Sequence, residues 1–134
     1  MHQEIDVLVS EVGPRDGLQS IKRIMPTKSK ILWINALASS GLREIEVGSF
    51  VSPSLMPQMA DCATLVMEAN KLENLSVLAL VPNLKGAELA IAAGARKLTM
   101  PISASRKHSL NYIGKTPEEA IEEVRRVCVL SGSM

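Results

Sequence analysis

A chain of 134 residues, 46% of them hydrophobic and with a formal charge of +1, is long enough for one modest domain around a real core. The near-neutral charge and the single Trp, Tyr and Phe supply neither the basic surface nor the stacking platforms of a nucleic-acid binder. No stretch of about 18 apolar residues exists to span a bilayer, and residues 1–4 lead into the first apolar run without the basic and apolar regions of a leader peptide, so no membrane partner and a cytoplasmic location are expected.

Residues 5–9, Ile-Asp-Val-Leu-Val, are apolar and β-branched enough for a strand buried on both faces of a parallel sheet. Gly13, Pro14 and Gly17 break it and enclose Arg15 and Asp16. Two readings fit that segment. Pro-Arg-Asp-Gly forms an ordinary β-turn, but a cation and a carboxylate just past the carboxyl end of a parallel strand also stand where such sheets carry ligands and catalytic groups.

A helix opens at Pro26-Thr27, with Ile31, Ile34, Leu37 and Ala38 on one face and Gly41 to end it. A strand follows at 42–47. A Gly/Ser/Pro loop at 48–53 leads to a helix carrying Met59, Ala63, Val66, Met67 and Asn70 at helical spacing. The unbroken run 76–81, stopped by Pro82, suits a third buried strand, and Leu84, Ala87 and Ile91 make the next helical stripe, closed by Gly94. Residues 97–100 form a fourth strand, after which 103–115 is a long polar loop. Thr116-Pro117-Glu118-Glu119 is a capping box opening a helix whose apolar face is Ile121, Val124 and Cys128.

The order is (βα)4. A (β/α)8 barrel needs about 250 residues, so the fold class is α/β, parallel (β/α) units of a TIM barrel with about four of eight present. Residues 1–134 then form the N-terminal part of a single barrel domain, with both sheet edges open and the rest of the barrel expected on further polypeptide. No Gly-x-Gly-x-x-Gly fingerprint supports a nucleotide-binding sheet instead. With few aromatics the core should be aliphatic and Met-rich. Cys62 and Cys128 have no Cys-x-x-Cys or His-rich company and read as buried thiols.

Glu46 lies near the end of the second strand, about 4.8 Å from its neighbour, so it faces the same site as Asp16. Arg15 is a permanent cation able to hold a carboxylate or enolate oxygen, and Mg2+ or Mn2+ suits clustered carboxylates. The same residues also occur on surfaces as solvated ion pairs. Gln19, Ser49, Asn83 and Lys85 fall close to strand ends, where they orient a polar substrate or serve as caps and turn formers. Asn83 has the position of a helix N-cap. His108 is a lone loop histidine, flanked by Arg106, Lys107 and Lys115, a basic loop that meets phosphates or is merely solvated.

The string 11–19, Glu-Val-Gly-Pro-Arg-Asp-Gly-Leu-Gln, together with Ile45-Glu46, residues 49–53 and Pro57-Gln58-Met59, resembles the 3-hydroxy-3-methylglutaryl-CoA lyase family. Residues 82–86 and 92–95 fit the same family in the same order. The resemblance implies a divalent-metal-dependent carbon–carbon lyase that cleaves a 3-hydroxyacyl-CoA to acetyl-CoA and a 3-oxo acid. It makes Asp16 the metal ligand, Arg15 the holder of the thioester carbonyl and enolate, and Glu46 the support for proton transfer and the metal site. Gln19, Ser49 and Asn83 become substrate neighbours, and the full-length protein a homo-oligomer. The family's His-x-His pair, its Gly-rich loop with a catalytic Cys and its Asn ligand have no counterpart in 1–134, so this polypeptide alone is expected to bind metal weakly and lack turnover. Ser20-Ile21 stands where the family has Asn-Glu, and Arg106 where an acidic residue is usual. These departures leave a citramalyl-CoA-type substrate open. Two alternatives remain: a condensing enzyme of the isopropylmalate or homocitrate synthase type, and a non-catalytic half barrel.

Overall fold

The computed structural model describes residues 7–132. Strands and helices alternate: β1 (Ser10–Glu11), α1 (Thr27–Ser39), β2 (Glu44–Ser49), α2 (Cys62–Ala69), β3 (Ser76–Leu80), α3 (Leu84–Ala92), β4 (Lys97–Thr99), a single turn α4 (Arg106–His108), and α5 (Pro117–Gly132). Every strand pair is parallel and the order is β1-β2-β3-β4. Consecutive parallel strands with intervening helices are the repeating unit of a (β/α) barrel, and the α/β class and four units agree with the sequence reading.

The core lies between the strands and the helices. Ile45 and Val47 of β2 and Val77 and Ala79 of β3 meet Ile34, Cys62, Leu65, Val66, Ala69, Ala87 and Ala90 from the first three helices. Each large aliphatic side chain so buried contributes about 1.5–3 kcal/mol, and the alanines of α3 let its backbone approach the sheet. Six consecutive residues of β2 are buried, as befits an inner parallel strand. Gly41 and Gly94, at φ +99° and +90°, follow α1 and α3 in the left-handed conformation that glycine adopts without a Cβ penalty. The capping box forms as expected: the Thr116 N–H donates to Glu119 Oε2 at 2.8 Å, and the Glu119 N–H to Thr116 Oγ1 at 3.2 Å.

Several expectations are corrected. The first strand is Ser10–Glu11, not 5–9. Val7, Leu8 and Val9 are 74%, 53% and 59% exposed, because no described strand or helix covers them, and residues 5 and 6 lie outside the described residues. The second strand runs Glu44–Ser49 instead of 42–47, and β4 ends at Thr99. In the second helical stripe Met59 sits in a 3-10 turn, Pro57–Met59, and Met67 faces solvent while Leu65 is buried. Met59 is the buried methionine among the core residues, which are otherwise mostly Val, Ala, Leu and Ile, so the core is aliphatic but not Met-rich. On α5 the inward face is Ala120 and Val127 with Val124 half-buried; Ile121 and Cys128 are exposed. The stripe is rotated by one residue because Glu123 also turns inward, where its carboxylate accepts from the Leu84 N–H at 2.9 Å and from Lys115 at 2.6 Å. Cys62 is buried as expected and Cys128 is not.

Candidate functional site

Between β1 and α1 the chain does not make a four-residue β-turn. Gly13–Gly17 is a single π-helical turn, in which the Asp16 N–H reaches back to the Val12 carbonyl at 2.7 Å. Single π turns recur at functional sites because the wider turn re-aims side chains. Gly13 leaves room for its neighbours: a Cβ there would lie 2.7 Å from Glu11 Oε1 and 3.2 Å from the Trp33 ring, so a larger residue would displace the Glu11 carboxylate. The Glu11 carboxylate in turn accepts from the Gly13 N–H at 2.6 Å. Pro14 is buried beneath the turn, and Arg15 and Asp16 project from a fixed backbone.

The end of β2 is built as carefully. The register with β3 steps from Glu46↔Leu78 to Gly48↔Ala79, so Val47 is an inserted residue, a β-bulge of the kind that re-aims side chains beside active sites. Val47 belongs to the core and Gly48 presses on α2, where a Cβ would come 2.5 Å from Cys62 Sγ. Two successive residues therefore turn to the helix side, and the alternation resumes with Ser49 on the side of Glu46. Burial pushes the Cys62 thiol up to about 12, with Asp61 adding to the rise, so this sulfur is packing material.

These two segments meet through Arg15. Its Nε donates to Glu46 Oε2 at 2.7 Å and a terminal nitrogen to Asp16 Oδ1 at 3.0 Å. The Arg15 and Glu46 side chains are 16% and 2% exposed, whereas Asp16 is 64% exposed. One guanidinium thus joins a buried and an open carboxylate. The buried one is only half satisfied: Glu46 Oε1 has no hydrogen-bond partner, nor have the buried Ser49 Oγ and Gln19 Oε1. An unpaired buried polar atom costs about 1–3 kcal/mol, so these three oxygens leave hydrogen-bonding capacity on the two segments joined by Arg15.

The remaining candidates are placed differently. Asn83 caps α3, its Oδ1 accepting from the Gly86 N–H at 2.9 Å, the N-cap position that its place before Leu84 suggested. His108 is exposed, bonded to Ser103 at 3.0 Å and stacked on Tyr112 at 4.5 Å. Of the basic loop, Arg106 pairs with Glu118 and Lys115 with Glu123; the Lys115 ammonium, more than any other group, holds the Glu123 carboxyl below its usual range. Among the described residues no group of three or more His, Cys, Asp and Glu side chains is gathered to hold a metal ion. No described helix is long and apolar enough to cross a membrane.

Lys30 and Asp61 escaped sequence reasoning, and Gln58, quoted there only as part of a matching segment, was given no role. Lys30 is 1% exposed and donates to the Gln58 carbonyl and to Asp61 Oδ1, both at 2.6 Å. A signal existed, since Lys30 precedes Ile34 by four residues and shares its buried face.

Parallel β/α units with a cation and carboxylates at the carboxyl ends of the first two strands have the layout of a (β/α) barrel, the fold whose ligand-bearing loops gather at that end. More narrowly, the HMGL-like family profile matches residues 6–131, and the chain belongs to that family. Mitochondrial hydroxymethylglutaryl-CoA lyase of Gallus gallus is 46% identical over 121 residues, 90% of this chain and 41% of that protein. The Bacillus subtilis HMG-CoA lyase structure superposes with a TM-score of 0.89 at 35% identity, covering 95% of this chain and 43% of that one. An HMG-CoA lyase from Acinetobacter baumannii, solved with coenzyme A and 3-methylmalate, gives 0.83 at 37% identity over 90% of this chain and 39% of its own. The chain spans less than half the length of these relatives.

Proposed function

We propose that this chain supplies the Arg15–Asp16–Glu46 half of a site for carbon–carbon cleavage of a 3-hydroxyacyl-CoA of the 3-hydroxy-3-methylglutaryl type, giving acetyl-CoA and a 3-oxo acid. The observation that carries the reading is the Arg15–Glu46 pair at 2.7 Å with the second Glu46 oxygen left unsatisfied. The family membership and the relatives' names support the same class of reaction.

Arg15 binds the thioester carbonyl through N–H donors not spent on Glu46 or Asp16, and it stabilises negative charge as that oxygen becomes an enolate. Glu46 holds the guanidinium by Nε, and its free Oε1 accepts a proton-bearing group of the substrate. Ser49 and Gln19 orient the remaining polar atoms. The donor set is all oxygen, which fits Mg2+ or Mn2+. Asp16, with its exposed carboxylate, would hold such an ion, which when bound would acidify the substrate's tertiary hydroxyl. One exposed carboxylate, already accepting a hydrogen bond from Arg15, is a weak ligand set, so residues 1–134 alone bind metal weakly and do not turn over.

The test is calorimetric titration of 3-hydroxy-3-methylglutaryl-CoA into the chain with Mg2+, beside Arg15→Met. Weak binding that the substitution weakens about tenfold or more is expected. Equal binding by both proteins overturns the assignment of Arg15, and robust acetyl-CoA release by residues 1–134 overturns the half-site reading.

A further inference from the structure

We infer that Lys30 is a positioning residue: a buried strut that clamps the segment carrying Arg15, Asp16 and Gln19 to the loop after β2. Lys30 touches none of the reacting groups and no part of the proposed mechanism uses it. Yet it is the most buried cation described, at 1% exposure, and a charge is so placed only with strong partners.

Those partners form a chain. Lys30 Nζ, on the second turn of α1, donates to the Gln58 carbonyl and to Asp61 Oδ1, each at 2.6 Å, and the Thr27 hydroxyl donates to Asp61 Oδ2 at 2.8 Å. The Gln58 side chain then reaches the other way, its Nε2 donating to the Ile21 carbonyl at 2.7 Å. Ile21 lies two residues past Gln19. Its own N–H is held to Leu18 at a long 3.4 Å, so beyond the buried Leu18 the Gln58 bond is the shorter of the two backbone hydrogen bonds at Ile21 and reaches a different part of the chain.

Asp61 shows what the arrangement costs. It occupies the N-cap position of α2, and aspartate there ordinarily bonds the first free N–H groups of the helix, worth about 1 kcal/mol. Here it makes no such bond; both oxygens are committed to α1. Buried ion pairs are weak contributors to stability compared with apolar packing of the same shape, so the pair is better explained by what it fixes. It fixes the 57–61 backbone on α1, and through Gln58 it fixes the loop that leaves the site.

This inference rests on reading Arg15, Asp16 and Gln19 as the site, and the experiment separates the two. Lys30→Met preserves length and packing; Gln58→Ala, at a half-exposed position, severs only the tie to Ile21. Amide hydrogen exchange is followed in residues 18–24 and in β3, and Mn2+ affinity by water-proton relaxation. Exchange in 18–24 should rise about tenfold in either variant with β3 unchanged, the double variant should add little because both act in one chain, and Mn2+ should dissociate about tenfold more readily. Unchanged exchange in Gln58→Ala, or exchange rising equally in β3 in Lys30→Met, overturns the strut. A loosened loop with unchanged Mn2+ affinity overturns the positioning role. Absence of Mn2+ binding in the unsubstituted protein counts against the functional reading instead, while the exchange contrast still decides the strut.

Discussion

Replacing Arg15 with methionine isolates the energetics of the half-site. Glu46 is 2% exposed, with Arg15 at 2.7 Å as the partner of one oxygen and nothing on the other. Removing the guanidinium deletes a charge-assisted hydrogen bond of about 1.5–3 kcal/mol and strands a carboxylate in a place water scarcely reaches. Breaking a buried pair in this way costs about 3–5 kcal/mol. The lower end applies here, since Arg15 itself is 16% exposed and water can take part of its place. Glu46→Gln keeps an oxygen for Arg15 Nε and removes the charge, at about 1 kcal/mol. In the double variant no charge is left stranded, so its loss should fall short of the summed single losses by about 2 kcal/mol. Urea denaturation of the four proteins gives the cycle. Additivity within about 0.5 kcal/mol would refute the argument that Arg15 and Glu46 are held as one unit.

Gly48→Ala puts a methyl group 2.5 Å from Cys62 Sγ; it should destabilise by about 1–3 kcal/mol, and measurably less in a Cys62→Ala background, as denaturation midpoints would show. Glu44 and Glu123 have carboxyl pKa values lowered from 4.5, each chiefly by a hydrogen bond from a lysine, Lys97 and Lys115 respectively. The folded state therefore holds fewer protons than the unfolded one in this range. Their stabilisation is present above the unfolded value and lost as pH falls through the lowered one, so a plot of stability against pH should drop below 4.5 and drop less steeply in Lys97→Met, where only the Glu123 contribution remains of the two. With its pKa pushed up to about 12 and its sulfur buried, Cys62 should resist a disulfide reagent that labels the exposed Cys128 quickly; thiol release at pH 8 should show one fast group. Asn83→Ala should cost about 1 kcal/mol as a lost cap while leaving the Arg15-dependent affinity for acyl-CoA unchanged, and a fall in that affinity would restore Asn83 to the substrate site.

Legibility followed the physics of each signal. The helices from Thr27 and Pro117 and the strand from Ser76 were plain because local rules agree there: Pro at the start, a reciprocal cap or a stopping Gly, and an apolar run of the right length. The errors arose where tertiary structure outvotes local pattern. Val7, Leu8 and Val9 are as β-prone as any strand in the chain, but among the described residues pairing begins at Ser10, opposite Glu44, and propensity says nothing about whether a neighbour exists. On α5, Val124 and Cys128 recur at helical spacing, but Glu123 is drawn in by the Leu84 N–H and Lys115. That rotation is set by a partner 39 residues away in sequence.

For the site, the residues could be named from their places in the chain, while their arrangement could not. Arg15, Asp16 and Glu46 were nameable from their places at two strand ends, yet no pattern could tell that Arg15 would bridge both carboxylates, or that Glu46 would be buried and Asp16 open. The π turn at Gly13–Gly17 carries Arg15 and Asp16, and the bulge between Glu46 and Gly48 returns Ser49 to the side of Glu46; neither irregularity has a period in the sequence. The asymmetry suits the roles proposed for the two carboxylates. One kept from water and tied to a guanidinium keeps its position, whereas the exposed Asp16, held to Arg15 by one oxygen, is open to solvent; had β2 continued its regular alternation, Ser49 would have left the side that Glu46 occupies.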